Sequence, residues 1–193
     1  HAGGVARSDE RNRVLRNTYW LLALSMVPTV LGAWIGVQTG IVASMGVGMS
    51  AIVFLAGAFG FMFAIEKTKN SAAGVPILLA FTFFMGLMLS RLLAAVLGFS
   101  NGATLIMYAF GGTALAFFSM ASLATVIKRD LSGMGKFLFI GAIMLLVAGI
   151  ANIFIQSSAM MLTLAVVAVG IFTAFMLYDL KRIIDGGETN YIS

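Results

Sequence analysis

Between Asn17 and Ile65 the chain carries no charged side chain, and the same holds from Phe137 to Tyr178. Between Asn70 and Ile127 there is one, Arg91. Charge-free runs of this length leave few folds open. A bilayer-spanning helix needs about 20 mostly apolar residues, so each of the three blocks holds two. Only 10% of the residues are charged and 61% are hydrophobic, against about 25% and 45–50% in soluble domains. No segment alternates apolar and polar residues over the ~10-residue length of a membrane β-strand. The expected fold is therefore all-α, a polytopic transmembrane helix bundle with six spans.

The breaks inside the blocks set the helix bounds. Gln38-Thr39-Gly40 divides the first block into helices near 18–38 and 43–65. The turn-rich string Gly98-Phe99-Ser100-Asn101-Gly102 divides the second, near 75–97 and 103–127, with Pro76 in a first turn that tolerates it. Gln156-Ser157-Ser158 divides the third, near 137–156 and 159–184. The last helix continues past Asp179, because Leu177, Leu180, Ile183 and Ile184 keep a helical apolar stripe until Gly186-Gly187 stops it. Residues 1–17 form a polar N-terminal tail and residues 185–193 a polar turn. The arginines of the tail suit a signal-peptide n-region, but the apolar segment after it far exceeds an h-region of about 7–15 residues, so a retained first helix is expected. A chain starting at His1 rather than Met reads as a piece of a longer protein.

Every Lys and Arg except Arg91 falls in the tail, in loops 66–70 and 128–136, or at Lys181-Arg182. The intervening loops hold none. The positive-inside rule puts the charged loops and the N-terminus in the cytoplasm. A net charge of +5 distributed this way reports membrane topology, and no nucleic-acid partner is expected. There is no Cys, and the single His is His1. Thiol nucleophiles, thiolate metal sites and a Ser–His pair within the membrane are excluded, and neither a cofactor nor an enzymatic activity is expected.

Four charged residues are candidates for function. Asp179 ends a long apolar run at the unfavourable end of a helix dipole. Intramembrane acids serve as gates, proton sites or cation ligands; alternatively Asp179 is an interfacial residue paired with Arg182. Arg91 lies about 24 Å into the third span, too far to pair with Asp179, and either snorkels to headgroups or meets a partner from another segment. Glu66 ends the second span, as an interfacial residue or a partner of Lys67, Lys69 or a neighbouring loop. Gly32, Gly36 and Gly40 form a G-x-x-x-G-x-x-x-G stripe that permits close helix approach, for internal packing rather than a dimer face. Two look-alikes fail. Gly46-Val47-Gly48-Met49-Ser50-Ala51 matches a dinucleotide fingerprint without its strand or its acid. Tyr178-Asp179 resembles an intramembrane aspartyl protease without its second Gly-x-Gly-Asp.

Four strings carry a resemblance: Arg16-Asn17-Thr18-Tyr19, Gly111-Gly112-Thr113-Ala114-Leu115-Ala116-Phe117-Phe118, Ala151-Asn152-Ile153-Phe154-Ile155-Gln156 and Gly186-Gly187-Glu188-Thr189-Asn190-Tyr191-Ile192. From about Arg13 to Ser193 the chain resembles the bacterial YccA branch of the Bax inhibitor (TMBIM) family. The resemblance implies a seven-helix fold in a bacterial inner membrane, with a seventh helix starting just beyond Asn190, Thr189 as its N-cap, and the present chain stopping before it. It also implies that Asp179 faces a second acid on that helix, a pair associated in related members with pH-dependent calcium leak. Two departures weaken that mechanism here. The second acid is not in the sequence, and residues 43–65 lack the arginine that latches the pair in those members. The third span often carries Pro where this chain has Arg91. The YccA branch is linked to the membrane-bound ATP-dependent protease FtsH, as substrate and modulator. The expected function is modulation of an FtsH-type protease complex, with a proton-sensitive calcium or cation leak at Asp179 as the alternative.

Overall fold

The structure is a computed structural model that describes the backbone of residues 2–193 and the side chains from Asp9 onward. Among the described residues all regular structure is helical. In order the helices are α1 (Ala2–Thr39), α2 (Ile41–Ser44), α3 (Gly46–Thr68), α4 (Gly74–Leu97), α5 (Gly102–Val126), α6 (Met134–Ile155) and α7 (Ser158–Ile184). All but the single-turn α2 are long and apolar enough to cross a membrane. The protein is a membrane protein with six such candidate spans among the described residues.

Two elements differ from the sequence expectation. The helix predicted to start near Thr18 starts at Ala2, so the polar segment continues it rather than forming a separate tail. Glu10, Arg11, Arg13, Leu15 and Arg16 are good helix formers, and they extend a helix already nucleated by the apolar run. The connection after α1 contains an extra turn, α2, between the left-handed residues Gly40 and Gly46. Near the edge of a bilayer a bare loop would leave backbone N–H and C=O groups unpaired, and a helical turn pairs them internally.

The chain divides into two units, His1–Phe110 with Glu188–Ser193, and Gly111–Gly187. In the first, α1 and α4 run parallel with their backbones in close approach. A methyl group added at Gly32 would strike the Phe83 carbonyl and stand 3.1 Å from the Leu87 nitrogen. One added at Gly36 would strike Ser90, and one at Gly86 would strike the Thr29 carbonyl. The expected glycine stripe is thus an internal packing face, and its complement is Gly86-x-x-x-Ser90 on α4. The third glycine does something else. Gly40 has nothing near its missing side chain; its φ of 64° ends α1, with its N–H donating to the Gly36 carbonyl at 2.9 Å. Antiparallel to α4, α3 brings Gly57 against the Phe84 ring and Phe61 against Phe81 and Phe84, with centroids 5.7 and 5.6 Å apart.

In the second unit α6 and α7 form an antiparallel hairpin, with Gly135 against Tyr178 and Gly141 against Ile171. Its turn has Gln156 in the left-handed region (φ 56°) and Ser157 as N-cap of α7, accepting from the Met160 N–H at 3.2 Å. The buried Asn152 side chain accepts from the Ser157 N–H at 3.1 Å. Large apolar side chains such as Trp20, Phe63, Phe110 and Phe154 stay exposed, as expected where the surrounding solvent is hydrocarbon.

Candidate functional site

The polar chemistry of each unit gathers at the ends of its helices. In the second unit it is built on the last turns of α7. The apolar stripe turns Leu180 and Ile183 inward, and the same face carries Lys181, whose side chain is 9% exposed. A buried ammonium needs partners on all sides. Lys181 Nζ donates to the Ile127 carbonyl, one residue beyond α5, at 2.8 Å, and pairs with Asp185 Oδ1 at 3.1 Å. It thereby pins the end of α7 to the α5–α6 connection. Neither partner follows from helical periodicity alone, and the i,i+4 spacing of Lys181 and Asp185 was the available signal. Exchanging Lys181 for Met leaves the Ile127 carbonyl without its donor. Lys181→Met is expected to cost about 1–2 kcal/mol, read as a lower unfolding temperature in detergent, with Lys181→Arg recovering part of it.

The α5–α6 connection has its own cap. Asp130 accepts from the Ser132 N–H at 3.0 Å and the Ser132 hydroxyl at 3.1 Å. These two bonds hold the Asp130 carboxyl below its ordinary value of 3.8, with the Lys181 charge adding to them. A depressed carboxyl contributes stability that is complete above pH 3.8 and is lost as the pH falls through the lower folded value. Protection of the Ser132 amide, taken against its intrinsic exchange rate at each pH, is expected to fall only below pH 3.8, and Asp130→Asn should abolish that pH dependence.

Asp179 lies on the exposed face of α7. It forms no hydrogen bond or ion pair among the described residues. Arg182 stacks over the Tyr178 ring, 5.7 Å from its centroid, and its charge also acts on Asp179. Glu66, in the first unit, pairs with Lys69 at 2.9 Å, which raises the Lys69 ammonium above its ordinary value, while Lys67 sits 5.1 Å over the Phe63 ring. Arg91, also in the first unit, donates to Ser50 Oγ at 3.4 Å.

The second polar cluster belongs to the first unit and centres on Asn190, which sequence reasoning passed over. Its Nδ2 donates to the Lys69 carbonyl at 3.1 Å and to Asn70 Oδ1 at 2.8 Å. Its Oδ1 accepts from the N–H groups of Ile192 at 2.9 Å and Ser193 at 3.0 Å. Glu188 closes the loop, accepting from the Asn190 N–H at 3.0 Å and the Ser193 hydroxyl at 3.3 Å. Bonds to the residues two and three ahead are N-cap geometry. Here they close an Asx turn, since residues 190–193 are not helical. Ile192 is buried against Gly74, where a methyl group would come within 2.9 Å of Ile192 Cδ1. Beside this docked segment a groove of about 640 Å³ opens between Asn17, Trp20 and Leu24 of α1, Val75 of α4, and Tyr191. Among the described residues no group of His, Asp or Glu side chains could hold a metal ion.

The docked segment is the Gly-Gly-Glu-Thr-Asn-Tyr-Ile string, and comparison with known proteins places it in a family. Residues 11–193 match the family described as inhibitor of apoptosis-promoting Bax1. The chain belongs to the Bax inhibitor family. Among members of that family, a membrane protein of Vibrio cholerae is 36% identical over 193 residues, covering 98% of this chain and 83% of its own. The Escherichia coli K12 protein named modulator of FtsH protease YccA is 36% identical over 181 residues, covering 94% and 80%. Its counterpart in Escherichia coli O6:H1, 36% identical over the same length, is named inner membrane protein YccA. Within this Bax inhibitor family chain Asp179 stands outside both the docked Glu188–Ser193 segment and the Lys181 pin.

Proposed function

We propose that this protein is an inner-membrane modulator of an FtsH-type ATP-dependent protease and also its substrate, gripped at the N-terminal end of α1. The observation that carries the reading is 36% identity, over 94% of this chain, to the protein named for that role. Topology supports it: with the cations inside, the N-terminus and the docked Glu188–Ser193 segment share the cytoplasmic face. The polar start of α1 exposes Asp9, Glu10, Asn12, Arg13 and Arg16 there, which gives a cytosolic enzyme a surface to engage. The activity is one of binding, not catalysis. Co-purification from native membranes tests it. The protease complex should be recovered with the tagged protein, and degradation of another membrane substrate should slow in its presence. Failure of both after mild solubilisation and cross-linking would remove the proposal.

A second reading rests on Asp179. A carboxylate near the end of a span, without an ion pair or hydrogen bond among the described residues, is free to bind a cation or a proton. In that reading the protein leaks calcium or another cation, and Asp179→Asn changes calcium flux into proteoliposomes between pH 6 and 8. Identical flux for the two proteins at every pH would exclude it.

A further inference from the structure

Among the described residues no carboxylate lies near Arg91 along α4 or in the connections on either side of it. None occurs in the sequence between Glu10 and Glu66, between Glu66 and Asp130, or between Asp130 and Asp179. The connections at 40–45, 98–101 and 156–157 therefore hold no acid. Arg91 stands about 25 Å along α4 from Gly74 at 1.5 Å per residue, close to the far edge of a hydrocarbon layer about 30 Å thick. A guanidinium at that depth is costly without a counter-charge.

The side chain is half-buried and held in place. Of its five N–H donors, one on Nη1 reaches Ser50 Oγ at 3.4 Å. Ser50 in turn donates to the carbonyl of Val42, a residue 2% exposed in α2. No other hydrogen bond or ion pair to Arg91 forms among the described residues. A fork of N–H groups is thus tethered to α3 by one long contact and left with donors to offer.

The surroundings are those of a lipid interface. Trp34, on the helix packed against α4 and about one turn deeper, is 61% exposed, and indole rings anchor at headgroup level. Leu92 and Phe99, both C-terminal to Arg91, are exposed apolar groups against which acyl chains can lie. A planar guanidinium matches phosphate oxygens in a bidentate fork.

We propose that Arg91, positioned by Ser50, binds the phosphate group of an anionic lipid headgroup in the leaflet opposite the charged loops. This site is independent of the protease reading. Native mass spectrometry of the full chain in detergent tests it, with phosphatidylglycerol, diacylglycerol and inorganic phosphate as probes. One phosphatidylglycerol should be retained and diacylglycerol should not. Arg91→Gln should weaken retention about tenfold, as for one lost charge-assisted contact, and Arg91→Lys should recover part of it. Ser50→Ala, which keeps the charge and frees its orientation, should weaken it several-fold. Equal retention by the wild type and Arg91→Gln overturns the proposal, as does displacement of the lipid by millimolar inorganic phosphate, which would make the ligand a free anion. If Arg91→Gln does not fold, unchanged retention by Ser50→Ala overturns it. A cross-link from residue 91 to a carboxylate of a co-purifying protein would assign the counter-charge to that protein instead.

Discussion

Replacing Gly86 by leucine is expected to lower the stability of the first unit by about 3 kcal/mol or more, the largest effect of any single change considered. The reason is geometric. The first atom of a side chain at Gly86 already collides with the Thr29 carbonyl and lies 3.0 Å from the Ala33 nitrogen. Those are backbone atoms, so no rotamer change relieves the overlap, and α1 and α4 must separate along their contact. In lipid, where apolar surface gains little by leaving its solvent, close backbone packing is a main source of helix association. Thermal unfolding in detergent measures the loss. Gly60→Leu is the control, since nothing lies within 4 Å of Gly60, and it should shift the transition little. Equal shifts for the two variants would mean that the α1–α4 contact does not hold the unit together. Gly32→Leu should behave like Gly86→Leu.

The second large effect is expected at Asn190. Truncation to alanine removes two donated and two accepted hydrogen bonds at once. At a net value near 1 kcal/mol each, reduced by partial exposure, the local loss is about 2 kcal/mol. That corresponds to roughly 30-fold faster amide exchange at Ile192 and Ser193, with release of Ile192 from Gly74. Asn190→Asp keeps the accepting oxygen and loses the donations to Lys69 and Asn70, so it should fall between the two. Gly74→Val attacks the same contact from the other side, because the first atom of its side chain would stand 2.9 Å from Ile192 Cδ1 as well as 2.6 Å from the Thr68 carbonyl. If amide exchange at Ile192 is unchanged in both Asn190→Ala and Gly74→Val, the segment is not docked in solution.

How much of this the sequence disclosed depends on the kind of signal. Charge-free runs are long-range and unambiguous, and the six spans follow from them because lipid leaves a backbone few alternatives. The glycine stripe on α1 disclosed a close contact but not its partner. The partner's signature, Gly86-x-x-x-Ser90, is the same small-x-x-x-small spacing, lost in a helix where most residues are bulky. Gly40 fits the four-residue spacing by position and ends the helix by conformation, a difference carried by φ and not by residue type. Lys181, Asp185 and Asn190 show why local reading stops short. Their partners lie between 4 and 121 residues away, and only the fold brings the distant ones within reach.

The continuity of α1 has a consequence of its own. Its 38 residues make a rod about 57 Å long, nearly twice the hydrocarbon thickness of a bilayer. No proline interrupts it before Pro28. Successive residues along such a rod differ in azimuth by about 100°, so the compass bearing of Asp9 or Arg13 is set by how Gly32 and Gly36 seat on α4 together with the local geometry at Pro28 between them. Inserting one residue near Asn17 would swing the entire projecting end by more than a quarter of a revolution while leaving its composition intact. Whatever reads that end reads a bearing as well as a sequence.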